Sequence, residues 1–223
     1  MAEIKRRPVN SDQLLASITV GLDSLQRDLP DGAIAKLAQL LTELERWNRR
    51  VNLTAIRDLE TMVSGHILDS LTVRPLLEGR RVIDVGTGAG FPGLPLAIAE
   101  PQIEFGLLDS NGKKISFVQH VIGELGLSNA TAIRARAEDY APAERFDTVI
   151  ARALASIPKL LQLAGHLIRE EGVLLALKGK HPAAELESIK EISGWKYVVT
   201  DVTVPGLESH ARHVVCLRRV DTA

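Results

Sequence analysis

This sequence predicts an α/β fold built on a mostly parallel, doubly wound sheet of seven strands, and three observations predict it. From Arg81 onward, short apolar runs rich in Val, Ile and Leu alternate with helical stretches, the pattern of parallel strands joined by crossover helices. The first of these runs, residues 81–85, enters the loop Gly86-Thr87-Gly88-Ala89-Gly90-Phe91-Pro92-Gly93 and then a helix. The last two, residues 196–204 and 213–217, are joined by Pro205-Gly206 and polar residues with no helix between them, so an antiparallel hairpin should close one sheet edge.

Taken in order, Leu14, Leu15, Ile18, Leu22, Leu25 and Leu29 recur at three- and four-residue steps and predict an amphipathic helix over 11–29 with Ser11 as its cap. Pro30-Asp31-Gly32 breaks it, and Ile34, Leu37, Leu40, Leu41, Leu44 and Trp47 continue the period to about Asn48. Two such helices cannot bury both their faces alone. Residues 1–60 are therefore expected to form a helical layer on a core at 80–220, the chain 1–223 making one domain. Residues 47–54 are polar and basic and read as a loop. Helical periodicity resumes at 66–71, where His66 and Asp69 lie three apart and are expected on one face as a hydrogen-bonded pair lining a cleft. After the glycine loop come a helix at 94–99, a strand at 103–108, a helix at 113–125, strands at 131–133 and 146–150, a helix at 157–168, a strand at 173–177 and a helix at 183–192.

Composition narrows the class. With 223 residues, 45% of them hydrophobic, the chain can bury a sizeable core. A single cysteine, Cys216, excludes a disulfide framework and cysteine-based zinc sites, and points to a reducing cytosol. The basic start Met1-Ala-Glu-Ile-Lys-Arg-Arg lacks a following apolar segment, and no run approaches the roughly 18 residues of a membrane span. A soluble, cytoplasmic protein is expected. The net charge of −1 does not advertise a nucleic-acid partner, so such a partner must be met by local patches.

The glycine loop decides the ligand. A dinucleotide fingerprint needs G-x-G-x-x-G, but Phe91 stands where its third glycine belongs. A nicotinamide-dependent oxidoreductase is thereby disfavoured, though it stays an alternative. Asp84 puts a carboxylate at the tip of the first strand, which would repel a pyrophosphate and attract an ammonium or sulfonium. Asp109 closes the next strand, where a carboxylate can accept both hydroxyls of a ribose. Glycines alone would mean no more than a tight turn, but acids at two consecutive strand ends are unusual, since strands deplete Asp. A cationic amino-acid end, a ribose and no phosphate describe S-adenosylmethionine. The fold is then the Rossmann-like class I S-adenosylmethionine-dependent methyltransferase type.

Other strand ends also deliver polar groups. Arg136-Ala137-Glu138-Asp139 suits an adenine, although a charged surface loop accounts for it equally well. Arg152, between alanines at the tip of a buried strand, should face something anionic in a cleft. Lys178-Gly179-Lys180 and Arg212-His213 bring cations to the same side, and Arg46, Arg49, Arg50, Arg57, Lys113 and Lys114 add capacity for phosphates, although solvated surface charge accounts for most of these residues as well. Arg218 and Arg219 at the chain end read as solvated charge. No metal site is evident.

Together Asn52-Leu53-Thr54, His66-Ile-Leu-Asp69-Ser70, the run from Asp84 to Ala97, Leu108-Asp109-Ser110, Glu138, Ala151-Arg152-Ala153 and Lys178-Gly179 resemble, in order, the bacterial 16S rRNA (guanine-N7) methyltransferase family, also called glucose-inhibited division protein B. The resemblance covers residues 47–213 and implies S-adenosylmethionine-dependent methylation of N7 of a guanine in the 530 loop of 16S rRNA. It implies cofactor contacts at Gly86, Phe91, Ala137, Glu138 and Arg152 and a ribose contact at Asp109, with Thr87, Gly88, Gly90 and Ser110 in the same binding segments. Asn52, His66, Asp69, Arg152 and Lys178 are the candidate catalytic residues. The partner is expected to be 16S rRNA within the 30S subunit or an assembly intermediate, and the protein a monomer. Methylation of a small molecule or a protein remains the alternative within the enzyme class.

Overall fold

The computed structural model describes residues 11–25, 28–190, 192 and 194–220. The basic start at 1–7 lies outside them. Its centre is a seven-stranded sheet in the order β3-β2-β1-β4-β5-β7-β6, with β1 (Arg81–Val85), β2 (Glu104–Asp109), β3 (Ala130–Arg134), β4 (Phe146–Arg152), β5 (Ile168–Lys178), β6 (Trp195–Asp201) and β7 (His213–Arg219). The first five strands run parallel, and β7 is antiparallel to both β5 and β6. Register sets the site: Val85 pairs with Leu108, Asp109 with Arg134, Arg152 with Leu177 and Lys178 with His213. The carboxyl ends of the parallel strands therefore share one rim, where ligands of open α/β sheets bind.

Apolar side chains cover both faces of the sheet, so its central strands read as continuous hydrophobic runs. One buried cluster joins Val82, Phe105, Leu107 and Leu175 to α1 (Ser11–Ser24), α2 (Ala33–Asn48), α5 (Gly93–Ala99) and α6 (Gly112–Leu125). A second joins Ile83, Val149, Leu174 and Val215 to α7 (Ile157–Ala164) and α8 (Ala183–Lys190). Leu37, Leu40 and Leu44 of α2 are fully buried in the first cluster, so the N-terminal helices complete the core of the sheet.

Helix ends follow local chemistry. Asn111 caps α6 by accepting from the backbone N–H of Lys113 at 3.0 Å, and Gly126 in the left-handed region ends it. Several predicted bounds shift. α1 stops at Ser24, although Leu25 and Leu29 still pack on the core; the predicted continuation crosses positions 26 and 27, outside the described residues. α7 stops at Ala164, because Gly165–Leu167 tightens into a 3₁₀ turn and Ile168 pairs with Phe146. A short apolar run there fits helix or strand, and strand pairing decides. Residues 59–71 form α3 (Leu59–Met62), a π-helical turn (Val63–Leu68) and α4 (Asp69–Leu71). No helix among the described residues is long and apolar enough to cross a membrane.

Candidate active site

At the rim a cleft of about 740 Å³ opens, lined from the tips of β1 to β5, the start of β7, the loop at 53–56 and the 65–73 segment. Its floor is the glycine loop. The N–H groups of Gly86 and Thr87 both donate to Leu108 O, at 2.8 and 2.9 Å, binding the loop to β2. Gly86 has φ 71°, a conformation costly for any side chain with a Cβ. At Gly93 a Cβ would lie 2.0 Å from Leu107 and 2.9 Å from Asp84 Oδ2, so the return of the loop over β2 needs glycine.

Asp84 corrects the sequence reading. Its carboxylate is fully buried and turned inward, where Oδ2 accepts from Thr87 Oγ1 at 2.6 Å and from the Gly93 N–H at 2.9 Å. It does not face the cleft, so it cannot meet a sulfonium there; it fixes the loop instead. Burial raises its pKa to about 6, against the lowering effect of the Thr87 and Gly93 hydrogen bonds.

Asp109, unlike Asp84, borders the cleft. Oδ2 accepts from the Gly88 N–H at 3.0 Å and Oδ1 from the Asn111 N–H at 2.8 Å, which aims the carboxylate at the cleft and leaves each oxygen further acceptor capacity. A Cβ on Gly88 would meet nothing nearer than 3.9 Å, so the space above the loop admits a ligand. Thr87, Ser110, Ala137 and Glu138 border this half of the cleft. These groups fit a nucleoside cofactor. Gly90 does not line the cleft: its N–H donates to Thr87 O and a Cβ would strike Leu94, so it serves the turn.

The other half is built around Phe91, His66 and Arg152. The Phe91 ring stacks on His66 at 4.5 Å and 18°, with the Arg152 guanidinium 5.9 Å from its centroid. His66 Nε2 is bonded to Thr54 Oγ1 at 2.9 Å. Burial, with Arg152 nearby, lowers its pKa to about 4, so the ring is neutral at pH 7. Asp69 instead bridges two arginines, Arg152 Nη1 at 3.1 Å and Arg212 Nε at 3.0 Å. The expected His66–Asp69 pair is therefore absent, because a π turn rotates each residue less than an α-helix and a three-residue step no longer returns to one face.

Two more candidates are corrected. Asn52 is exposed, accepts from Arg57 Nη2 at 3.2 Å and does not border the cleft. Lys178 reaches the cleft wall, but its Nζ is held by Ala155 O at 3.0 Å and Glu185 at 2.8 Å, and Glu185 also accepts from the Ile157 N–H. It is thus not free to take a ligand anion. Of the outlying cations, Arg46 and Arg49 pair with Glu43 and Glu45 on α2. Arg218 and Arg219 are not merely solvated: Arg218 forms a two-pronged pair with Glu78, and Arg219 lies over Trp195 while donating to Gly165 O at 2.9 Å.

The residue missed by sequence reasoning is Asn48. Buried at the end of α2, it accepts from the N–H groups of Leu53 and Thr54 at 2.8 and 3.1 Å and donates to the carbonyls of Thr54 and Ile56 at 3.0 and 3.5 Å. It thereby shapes the loop that offers Thr54 to His66. The only signal was an Asn closing a helix before a polar loop.

Comparison with known proteins supplies the family. Residues 33–215 match the model of a family described as rRNA small subunit methyltransferase G. A ribosomal RNA small subunit methyltransferase G from Legionella pneumophila (strain Corby) is 44% identical over 201 residues, covering 90% of this chain and 93% of its own. One from Idiomarina loihiensis is 46% identical over 201 residues, covering 89% and 95%. Among solved structures, an O-methyltransferase from Bacillus cereus in complex with SAH superposes with a TM-score of 0.60 at 14% identity, covering 95% of this chain and 100% of that one; that likeness concerns the fold alone. The methyltransferase fold, the rim of strand ends with its glycine loop, and relatives of this closeness lead to one conclusion: the chain belongs to the rRNA small subunit methyltransferase G family.

Proposed function

We propose that this protein transfers the methyl group of S-adenosylmethionine to N7 of a guanine in the 530 loop of 16S ribosomal RNA, acting in the cytoplasm on the RNA within the 30S subunit or an assembly intermediate. The observation that carries this reading is the continuity of the cleft. Its nucleoside half, from Gly86 to Asp109 and Ala137, opens into a second half bounded by Thr54, His66, Arg152 and Arg212.

When bound, the cofactor supplies a methyl group already activated on a sulfonium. Asp109 would hold the ribose hydroxyls, the backbone of the glycine loop would seat the methionine end, and Ala137 with Glu138 would border the adenine. Guanine N7 carries a free lone pair, so the chain has no proton to remove and acts by holding two reactants in line. The occupied state of the side chains agrees. His66, with a pKa of about 4, binds a proton only weakly and has its Nε2 engaged by Thr54, and Asp69 is paired with two arginines, so neither is poised as a base.

Arg152 and Arg212 around one carboxylate leave a net positive charge and unused N–H donors. Those donors suit a phosphate or guanine O6. An arginine fork taking O6 and N7 together would block the nucleophile, so a one-acceptor contact is required.

The test is incubation of rRNA, and separately of 30S particles, with radiolabelled S-adenosylmethionine, followed by mapping of the labelled base. Label at N7 of one guanine in the 530 loop is expected. Label on another base, on a protein or on a small molecule alone would overturn the reading.

A further inference from the structure

Leu154 is one of the large hydrophobic side chains left exposed, at 40%, and it lines the cleft, whereas Val20, Val198 and Val220 do not. A scattered exposed leucine needs no explanation, but this one is held in place at some cost. Ala153, just before it, has φ 51°, a left-handed conformation that a non-glycine residue adopts only when its surroundings impose it. Just beyond it, Ala155 O is held by Lys178 Nζ, which Glu185 anchors in turn, and Glu185 also binds the Ile157 N–H at 2.6 Å. The Leu154 side chain lies against the glycine loop: a Cβ on Gly86 would be 2.6 Å from its Cδ1.

Strand order says where along the cleft this residue stands. The nucleoside half of the cleft runs across the tips of β3, β2 and β1, and Leu154 follows β4, the next strand on the far side of β1. It therefore stands where the cofactor half gives way to the acceptor half. Polar groups already gather on the other walls of that half, at His66, Arg152 and Arg212. A purine presents a polar edge and an apolar face, and sites for extruded bases use both.

We propose that Leu154 is the apolar wall on which the flat face of the acceptor purine packs during methyl transfer. The inference rests on the reading that the acceptor is a nucleobase of RNA. An aliphatic wall also has no N–H to offer the attacking ring nitrogen, so it orients the base without competing for its lone pair. The backbone at Ala153 and the Lys178–Glu185 anchor are positioning elements that keep the wall upright.

The experiment compares wild-type protein with Leu154→Ala and Leu154→Met in steady-state methylation of 30S particles and in calorimetric titration with S-adenosylmethionine. For Leu154→Ala, kcat/KM for the RNA should fall about tenfold, the loss expected for one buried aliphatic contact, while cofactor affinity stays within about twofold. Leu154→Met, similar in volume, should keep wild-type activity within about threefold. Cofactor affinity falling in step with activity in Leu154→Ala would place the side chain against the cofactor and overturn the proposal. So would unchanged activity in Leu154→Ala, or a loss that methionine does not restore. A wild-type protein that methylates no ribosomal RNA overturns the underlying reading and this inference with it. Wild-type activity with an equally active Leu154→Ala overturns this inference alone.

Discussion

Asn48→Ala should be among the most damaging polar substitutions in this protein. The Asn48 amide is 5% exposed and makes four hydrogen bonds to backbone groups of residues 53–56, the longest at 3.5 Å. Each such bond contributes about 1 kcal/mol net, and buried backbone groups left unpaired cost at least that. Allowing for the long bond and for water entering the loop, a loss of about 3 kcal/mol is expected. Asn48→Asp should recover little. A carboxylate keeps the acceptors for Leu53 and Thr54 but faces two carbonyls with no N–H to give them. Asn52→Ala is the control, and it should change stability by less than about 0.5 kcal/mol, because Asn52 is exposed and its bond to Arg57 is a surface contact. Urea unfolding gives each value as a midpoint shift at constant m. Catalytic efficiency should follow the same order, since Thr54 would no longer be presented to His66. If Asn52→Ala costs as much as Asn48→Ala, or Asn48→Ala costs less than about 1 kcal/mol, the view that one amide shapes this loop is refuted.

Other expectations concern charge. Asp69→Asn leaves Arg152 and Arg212 partly buried without a counter-charge and should cost about 3 kcal/mol in urea unfolding; a neutral result would mean that both arginines swing into solvent. Asp84 has a folded pKa of about 6, above its ordinary 3.8. The native state thus binds more protons in that window, and this group's contribution to stability falls as pH rises from 3.8 to about 6. Asp84→Asn removes the slope, so its stability relative to wild type should rise by about 2 kcal/mol between pH 4 and 7; a difference independent of pH would exclude the shift. His66 has the opposite sign: its folded pKa of about 4 lies below 6.5, so its neutral native form is disfavoured as pH falls through that interval. Single-turnover methylation rates should not fall as pH is lowered from 8.5 to 6; a fall on the acid side that disappears in His66→Phe would restore a proton-accepting histidine.

Strand and helix positions were legible because the hydrophobic period of a segment buried on one or both faces is a local property. The seven strands, the antiparallel closing pair and the glycine loop all follow from runs such as Val82-Ile83 and Val214-Val215 and from glycines that a tight turn demands. The gathering of Gly86, Asp109, Ala137 and Arg152 at one cleft was legible for a related reason, since parallel strands deliver their ends to a single rim. What local pattern could not say was which way a given polar group turns once it arrives. Asp84 and Asp109 look alike as acids at consecutive strand ends, yet one is turned inward onto Thr87 and Gly93 and the other borders the cleft.

Side-chain partnership lies beyond the sequence for the same reason. Asp69 meets Arg212 across 143 positions, Arg218 meets Glu78 across 140 and Arg152 meets Asp69 across 83. Lys178 was read as a free cation until packing of α8 set Glu185 beside it. The sequence points to Asn52 through its place in the Asn52-Leu53-Thr54 segment, whereas burial makes the helix-end amide of Asn48 the one that holds the loop. The sequence by itself determined where chain segments must be apolar, where they must turn, and hence the sheet and its rim. Tertiary structure alone decided which charges neutralise one another and which face a ligand, because a buried charge takes its partner from whatever packing brings within about 3 Å, not from its neighbours along the chain.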